Sequence, residues 1–186
     1  MNEKLNAIST AAAAVCAATD MAEAVHASGK YKVQCHAYEG GPLLWEEEID
    51  NLVTTGGKND LLDKYLAGSS YTAAWYLGLI SSTSYTTGPA AGDTSASHGG
   101  WTEDQNYSQS TRPAASWNAA SSGSKTLSSG AVFTMNGSTT IKGCFLINNS
   151  TKGGATGTLY SAGLFSGGDQ PVVNGNTLTV TYTASA

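Results

Sequence analysis

The sequence predicts a mainly β chain: an antiparallel β-sandwich or jelly-roll-like domain with an N-terminal helix and one short internal helix. Three observations lead there. Residues 31–38 alternate at period two, as a half-buried strand does. From residue 72 onward, short runs of β-formers are separated by Gly, Asn and Ser turns, the pattern of a sandwich or barrel. Leu5 to His26 is helix-compatible throughout, without Gly or Pro.

The first 28 residues read as a helical arm. Leu5, Ile8, Ala12, Val15, Thr19, Ala22 and His26 fall at alternating three- and four-residue spacing, a heptad seam rich in Ala and interrupted by Thr19. Such a seam suits close packing, either on the chain's own domain or in a partner's groove. Leu5, Ile8, Ala12, Val15 and Ala22 are its candidate interface residues, and Gly29 is the expected helix stop.

The β domain is expected over 30–186. In 30–50, Tyr31, Val33, Cys35 and Ala37 point one way and Lys32, Gln34, His36 and Tyr38 the other. Glu39-Gly40-Gly41-Pro42 turns the chain, and Leu43 to Asp50 returns as a hairpin partner. Residues 56–67 read as the short helix, with Leu61, Leu62, Tyr65 and Leu66 on its apolar face and Gly68 as its stop. The run 73–80 reads as a buried strand and 83–100 as a small-residue loop. Later strands are expected in 114–119, 125–135, 139–148, 158–165 and 176–184. The turns between them include Asn136-Gly137, a hairpin signal, and Asn174-Gly175.

Composition restricts function. From Tyr65 to the C-terminus only eight of 122 residues are charged: Asp93, Glu103, Asp104, Arg112, Lys125, Lys142, Lys152 and Asp169. An average chain carries about a quarter. This suits a particle or surface component packed against copies of itself or another protein. Formal charge is −5, and no basic stripe exists, so nucleic-acid binding is not expected. No apolar stretch reaches the roughly 20 residues of a membrane span. Cys16, Cys35 and Cys144 are widely spaced and read as small buried hydrophobes.

Catalytic motifs are not found. Ser166 has Gly168 after it but Leu164 before it, Gly57-Lys58 lacks the upstream Gly of a phosphate loop, and Ser122 with Lys125 sits in a Gly/Ser turn. The densest acids, Glu46, Glu48 and Asp50, would share one strand face. That face reads as solvated in preference to a cation site. No enzymatic activity, metal or cofactor is expected. The segment 97–113 stands apart, with His98, Trp101, Glu103, Asp104, Tyr107 and the chain's single Arg, Arg112. Trp101, Tyr107 and Arg112 are the anchors an interface uses. Aromatics beside amides and acids also suit sugar stacking, and Trp101, following Gly99-Gly100, together with Arg112 suits a loop fastened to the sandwich.

Several strings resemble a group of small tailed-bacteriophage virion proteins over about residues 30–183. They are 45–53 with 57–63, then Trp75-Tyr76-Leu77-Gly78-Leu79-Ile80, Ser97-His98-Gly99-Gly100-Trp101-Thr102-Glu103, and 165–169 with 175–180. The resemblance implies a virion component without a catalytic motif. Proteins of this size and class often decorate capsids as sandwich or jelly-roll trimers. The expectation is therefore a capsid decoration protein on the virion surface that binds the major capsid protein or other virion proteins as a homotrimer. A tail, collar or fibre component is the alternative within virions, and a carbohydrate-binding module the alternative from another class.

Overall fold

A computed structural model describes residues 26–66 and 74–186. The seam residues Leu5, Ile8, Ala12, Val15 and Ala22 lie outside the described residues. Gly29, expected to stop a helix, instead lies in the first strand.

The elements follow in chain order. β1 (Ser28–His36) and β2 (Leu43–Asp50) form the expected hairpin, followed by β3 (Leu52–Val53) and α1 (Thr55–Leu66). Then come β4 (Trp75–Ser81), β5 (Thr102–Asp104), β6 (Ala114–Ala115), β7 (Ser124–Thr126) and β8 (Ala131–Thr134). β9 (Thr139–Ile147), β10 (Leu159–Leu164), β11 (Gln170–Val172) and β12 (Thr177–Ser185) complete the chain.

The strands form two antiparallel sheets. One runs β2-β1-β12-β7, with β8 also on β12; the other runs β3-β10-β9-β4-β5, with β11 on β9 and β6 on β4. Between them lies one core, with Tyr31, Val33, Cys35, Leu178, Val180 and Tyr182 from the first sheet and Leu77, Leu79, Cys144 and Leu146 from the second. The period-two pattern decides which side chains enter it: in β1, Tyr31, Val33 and Cys35 are buried while Lys32 and Gln34 between them are not.

β4 is apolar without alternation because both of its faces are covered. Leu77 and Leu79 face the shared core, while Ile80 joins Trp101, Phe145, Ile147, Leu159 and Ala162 in a second cluster. The loop after β4 covers that outer face with Tyr85 and Trp101. Gly78 is required here, because a Cβ would stand 2.1 Å from the Phe145 ring.

One turn signal has a different outcome from the one expected. Asn136-Gly137 does not close a hairpin: β8 pairs with β12 in one sheet and β9 with β10, β4 and β11 in the other. The turn carries the chain across the core, and Asn136 N–H donates to Asn106 O at 3.1 Å. Asn174-Gly175 likewise joins β11 in one sheet to β12 in the other, with Gly175 at φ 92°. The run 125–135 divides into β7 and β8, both of which pair with β12.

Candidate interaction surfaces

The segment 97–113 folds inward. Gly100, at φ 114°, sits where a Cβ would be 2.2 Å from Thr87, so the chain turns back tightly. Its carbonyl accepts from Thr86 N–H at 2.7 Å. Trp101 follows and is 3% exposed. Its Nε1–H donates to Asp93 Oδ2 at 2.8 Å. His98 stacks on the indole at 4.1 Å, and the Phe145 ring lies 5.5 Å from it.

Tyr107 is fully buried, edge-on to Phe133 at 5.0 Å. Burial, and then the nearby Glu103 carboxylate, raise its phenol well above the ordinary tyrosine range. Lys152 Nζ lies 4.0 Å from the Tyr107 ring centre and donates to the carbonyls of Tyr107 and Gln109. Arg112 meets Glu103 in a two-pronged pair: Nε to Oε1 and Nη2 to Oε2, both 2.8 Å. Its remaining donors reach Asn149 O at 2.9 Å and Gly154 O at 3.3 Å.

Trp101, Tyr107 and Arg112, expected as interface candidates, are therefore buried against their own domain. The reason is chemical: each polar atom has an internal partner and each ring an internal face. Sugar stacking on Trp101 is not available, because His98 and Phe145 pack against its indole. The cavity beside them, about 210 Å³, is walled by these same internally paired groups.

Glu46, Glu48 and Asp50 of β2 are exposed, and two of them, Glu46 and Asp50, are paired across the hairpin, whereas Glu47 turns to Gln170 and Gly167. Lys32 Nζ lies 2.9 Å from Glu46, and Lys30 Nζ 3.3 Å from Asp50. Hydrogen bonds from Lys32 and then Gln34 hold the Glu46 carboxyl below its ordinary range. Among the described residues, no group of three or more His, Cys, Asp or Glu side chains is placed to hold a metal ion. Among these residues, too, no helix is long and apolar enough to cross a membrane.

Among the described residues two apolar surfaces remain, at opposite ends of β1. The first is the far end of the β1–β2 hairpin, where Tyr38 is 61% exposed and Leu43 and Leu44 about half exposed. Ala37 N–H donates to Pro42 O and Gly41 N–H to Tyr38 O, which fixes the turn. Asn176 clamps the exposed Val173 to the same end: its Nδ2 donates to Ala37 O, and its Oδ1 accepts from Val173 N–H. The sequence held a signal for this surface, the doublet Leu43-Leu44. Two adjacent strand residues cannot both face the core.

The second surface lies at the end where β1 begins. α1 is held at its first turn. Thr54 Oγ1 accepts from Gly57 N–H at 3.0 Å, an N-cap, and its own hydroxyl donates to Leu159 O. Gly57 lies against the Tyr160 backbone, where a Cβ would come within 2.4 Å of the carbonyl oxygen. It is the only buried residue of the helix. The apolar face of the helix, Leu61, Leu62, Tyr65 and Leu66, is exposed and overhangs a groove of about 740 Å³. Trp75, Trp117 and Tyr160 line that groove. The chain matches no protein-family model and no curated protein.

Proposed function

We propose that this chain is a structural protein of a tailed-bacteriophage virion and that it decorates the assembled head as a cement protein. One observation carries the reading: an exposed apolar hairpin end, Tyr38, Leu43, Leu44 and Val173, on a domain with few charges. Contiguous exposed apolar groups mark protein–protein contact, and hydroxyl-rich surroundings suit wet, flat interfaces. The virion class itself rests on the strings 45–53, 75–80 and 97–103.

In this reading the two sheets form a β-sandwich, the chain assembles as a homotrimer, and the hairpin end meets the major capsid protein. The role is non-enzymatic. A protein that binds only the assembled shell shifts the equilibrium toward it. Co-sedimentation with undecorated heads tests the contact. The double variant Leu43→Asp/Leu44→Asp changes exposed side chains and should lower head binding by about tenfold or more while the domain stays folded. Undiminished binding would remove the hairpin end from the interface.

A further inference from the structure

The groove under α1 is lined by apolar and aromatic side chains. A helix of 12 residues is marginal in water by itself, and α1 is pinned to its domain at its first turn. Its apolar side chains face open space: Tyr65 is 83% and Leu66 73% exposed. The opposite wall includes Trp75, Trp117 and Ala184.

The chain enters the fold beside this groove. Ser28 and Gly29 open β1 opposite Ser185 and Ala184, and Ala184 lines the groove. On its other side Ala184 pairs with Lys125, a further wall residue. Everything before His26 is thus tethered one strand away from the groove wall by a two-residue connection, 26–27. A short tether of this kind supplies a local concentration on the order of millimolar.

The tethered sequence fits an aromatic groove. Leu5 to Val25 has no helix breaker, and as a helix it would span about 32 Å. Its seam of Leu5, Ile8, Ala12, Val15 and Ala22 is apolar but for Thr19, and its Ala residues allow close approach to flat rings. Its last turns carry Asp20 and Glu23, and the groove wall carries Lys125 beside the Lys64–Asp60 ion pair.

We propose that the segment Leu5–Val25 of the same chain docks in this groove, with its Ala-rich seam between Trp75, Trp117 and the apolar face of α1. The proposal stands apart from the virion reading and tests separately.

Hydrogen exchange on the full chain, followed by peptide mass spectrometry, decides it. The samples are wild type, Tyr65→Glu/Leu66→Glu and Val15→Asp, each at two concentrations tenfold apart, with light scattering alongside. Expected is exchange at least about tenfold slower than the unprotected rate across 5–25 in the wild type, unchanged on dilution. Both variants should abolish that protection while β1, β9 and β12 keep theirs. Val15→Asp should also speed exchange in the second half of α1.

Several results would overturn the proposal. They are free exchange across 5–25 in the wild type, protection confined to residues 67–73, and protection that survives both variants. Protection that fades on dilution together with an oligomer would assign the groove to a second copy instead. If Tyr65→Glu/Leu66→Glu disturbs the sheets, Val15→Asp decides alone, because the described fold is complete without that residue.

Discussion

Arg112 and Glu103, nine residues apart, form a two-pronged ion pair that is almost completely withdrawn from water, with side chains 3% and 6% exposed. Glu103 also accepts from Gly153 N–H, and Arg112 also donates to Asn149 O and Gly154 O. The pair therefore ties β5 and the loop after it to the long connection between β9 and β10. It holds the cover over the outer face of the second sheet.

Removing one partner leaves the other charge buried and unpaired. Arg112→Ala should cost about 3–5 kcal/mol of folding free energy, read from urea unfolding. Arg112→Lys should recover only part of it, since an ammonium cannot reproduce the planar fork. In a double-mutant cycle, the combined loss for Arg112→Ala with Glu103→Ala should fall clearly short of the sum of the single losses.

Trp101 is bound into the same cover. Trp101→Ala empties a site bounded by His98, Phe145 and Asp93 and should cost about 3–5 kcal/mol, seen as a lowered melting temperature. An unchanged melting temperature would contradict the inward placement of the ring.

Gly57 is the close contact of α1 with its domain. Gly57→Ala forces the helix away from the Tyr160 carbonyl and should cost about 1–3 kcal/mol. The loss should appear first as faster hydrogen exchange in 55–66, with β1 and β12 unaffected. Unchanged exchange in 55–66 would count against the anchoring described.

Alkaline pH should destabilise the fold. Burial pushes the Cys35 thiol up to about 11 from its ordinary 9.0 and raises the Cys144 thiol further. Burial is also the main cause of the raised phenols of Tyr31, Tyr107 and Tyr182. Above about pH 9 the unfolded chain loses thiol protons that the folded chain retains, so the unfolded state gains with rising pH. Stability should be flat in this respect below pH 9 and fall progressively through pH 11 and beyond. Tyrosinate absorbance should rise in two stages, the second coinciding with unfolding.

The legible parts of the fold were those governed by local period. The β1–β2 hairpin, the buried strand β4, the helix after Thr54 and the closing strand β12 follow from alternation, apolar runs and the apolar face of residues 61–66. The destinations of strands were less legible. Asn136-Gly137 has the composition of a tight hairpin, yet Met135 bridges to Tyr107 and the chain crosses between sheets, a choice made by distant packing. The apolar face of α1 was legible in Leu61, Leu62, Tyr65 and Leu66, but its exposure was not, because an apolar helix face shows only that it needs a cover. Arg112 and Trp101 were singled out correctly as unusual, but residue type alone did not distinguish an anchor for a partner from an anchor for the chain's own loop. Their internal partners, Glu103, Gly154 and Asp93, decide that.

Copy number in the purified virion tests the proposed coating of an assembled head most directly. Quantitative mass spectrometry against the major capsid protein should find hundreds of copies per particle, in a fixed ratio to the capsid lattice. A dozen copies or fewer would contradict the decoration reading and place the chain at a unique site such as the tail or collar.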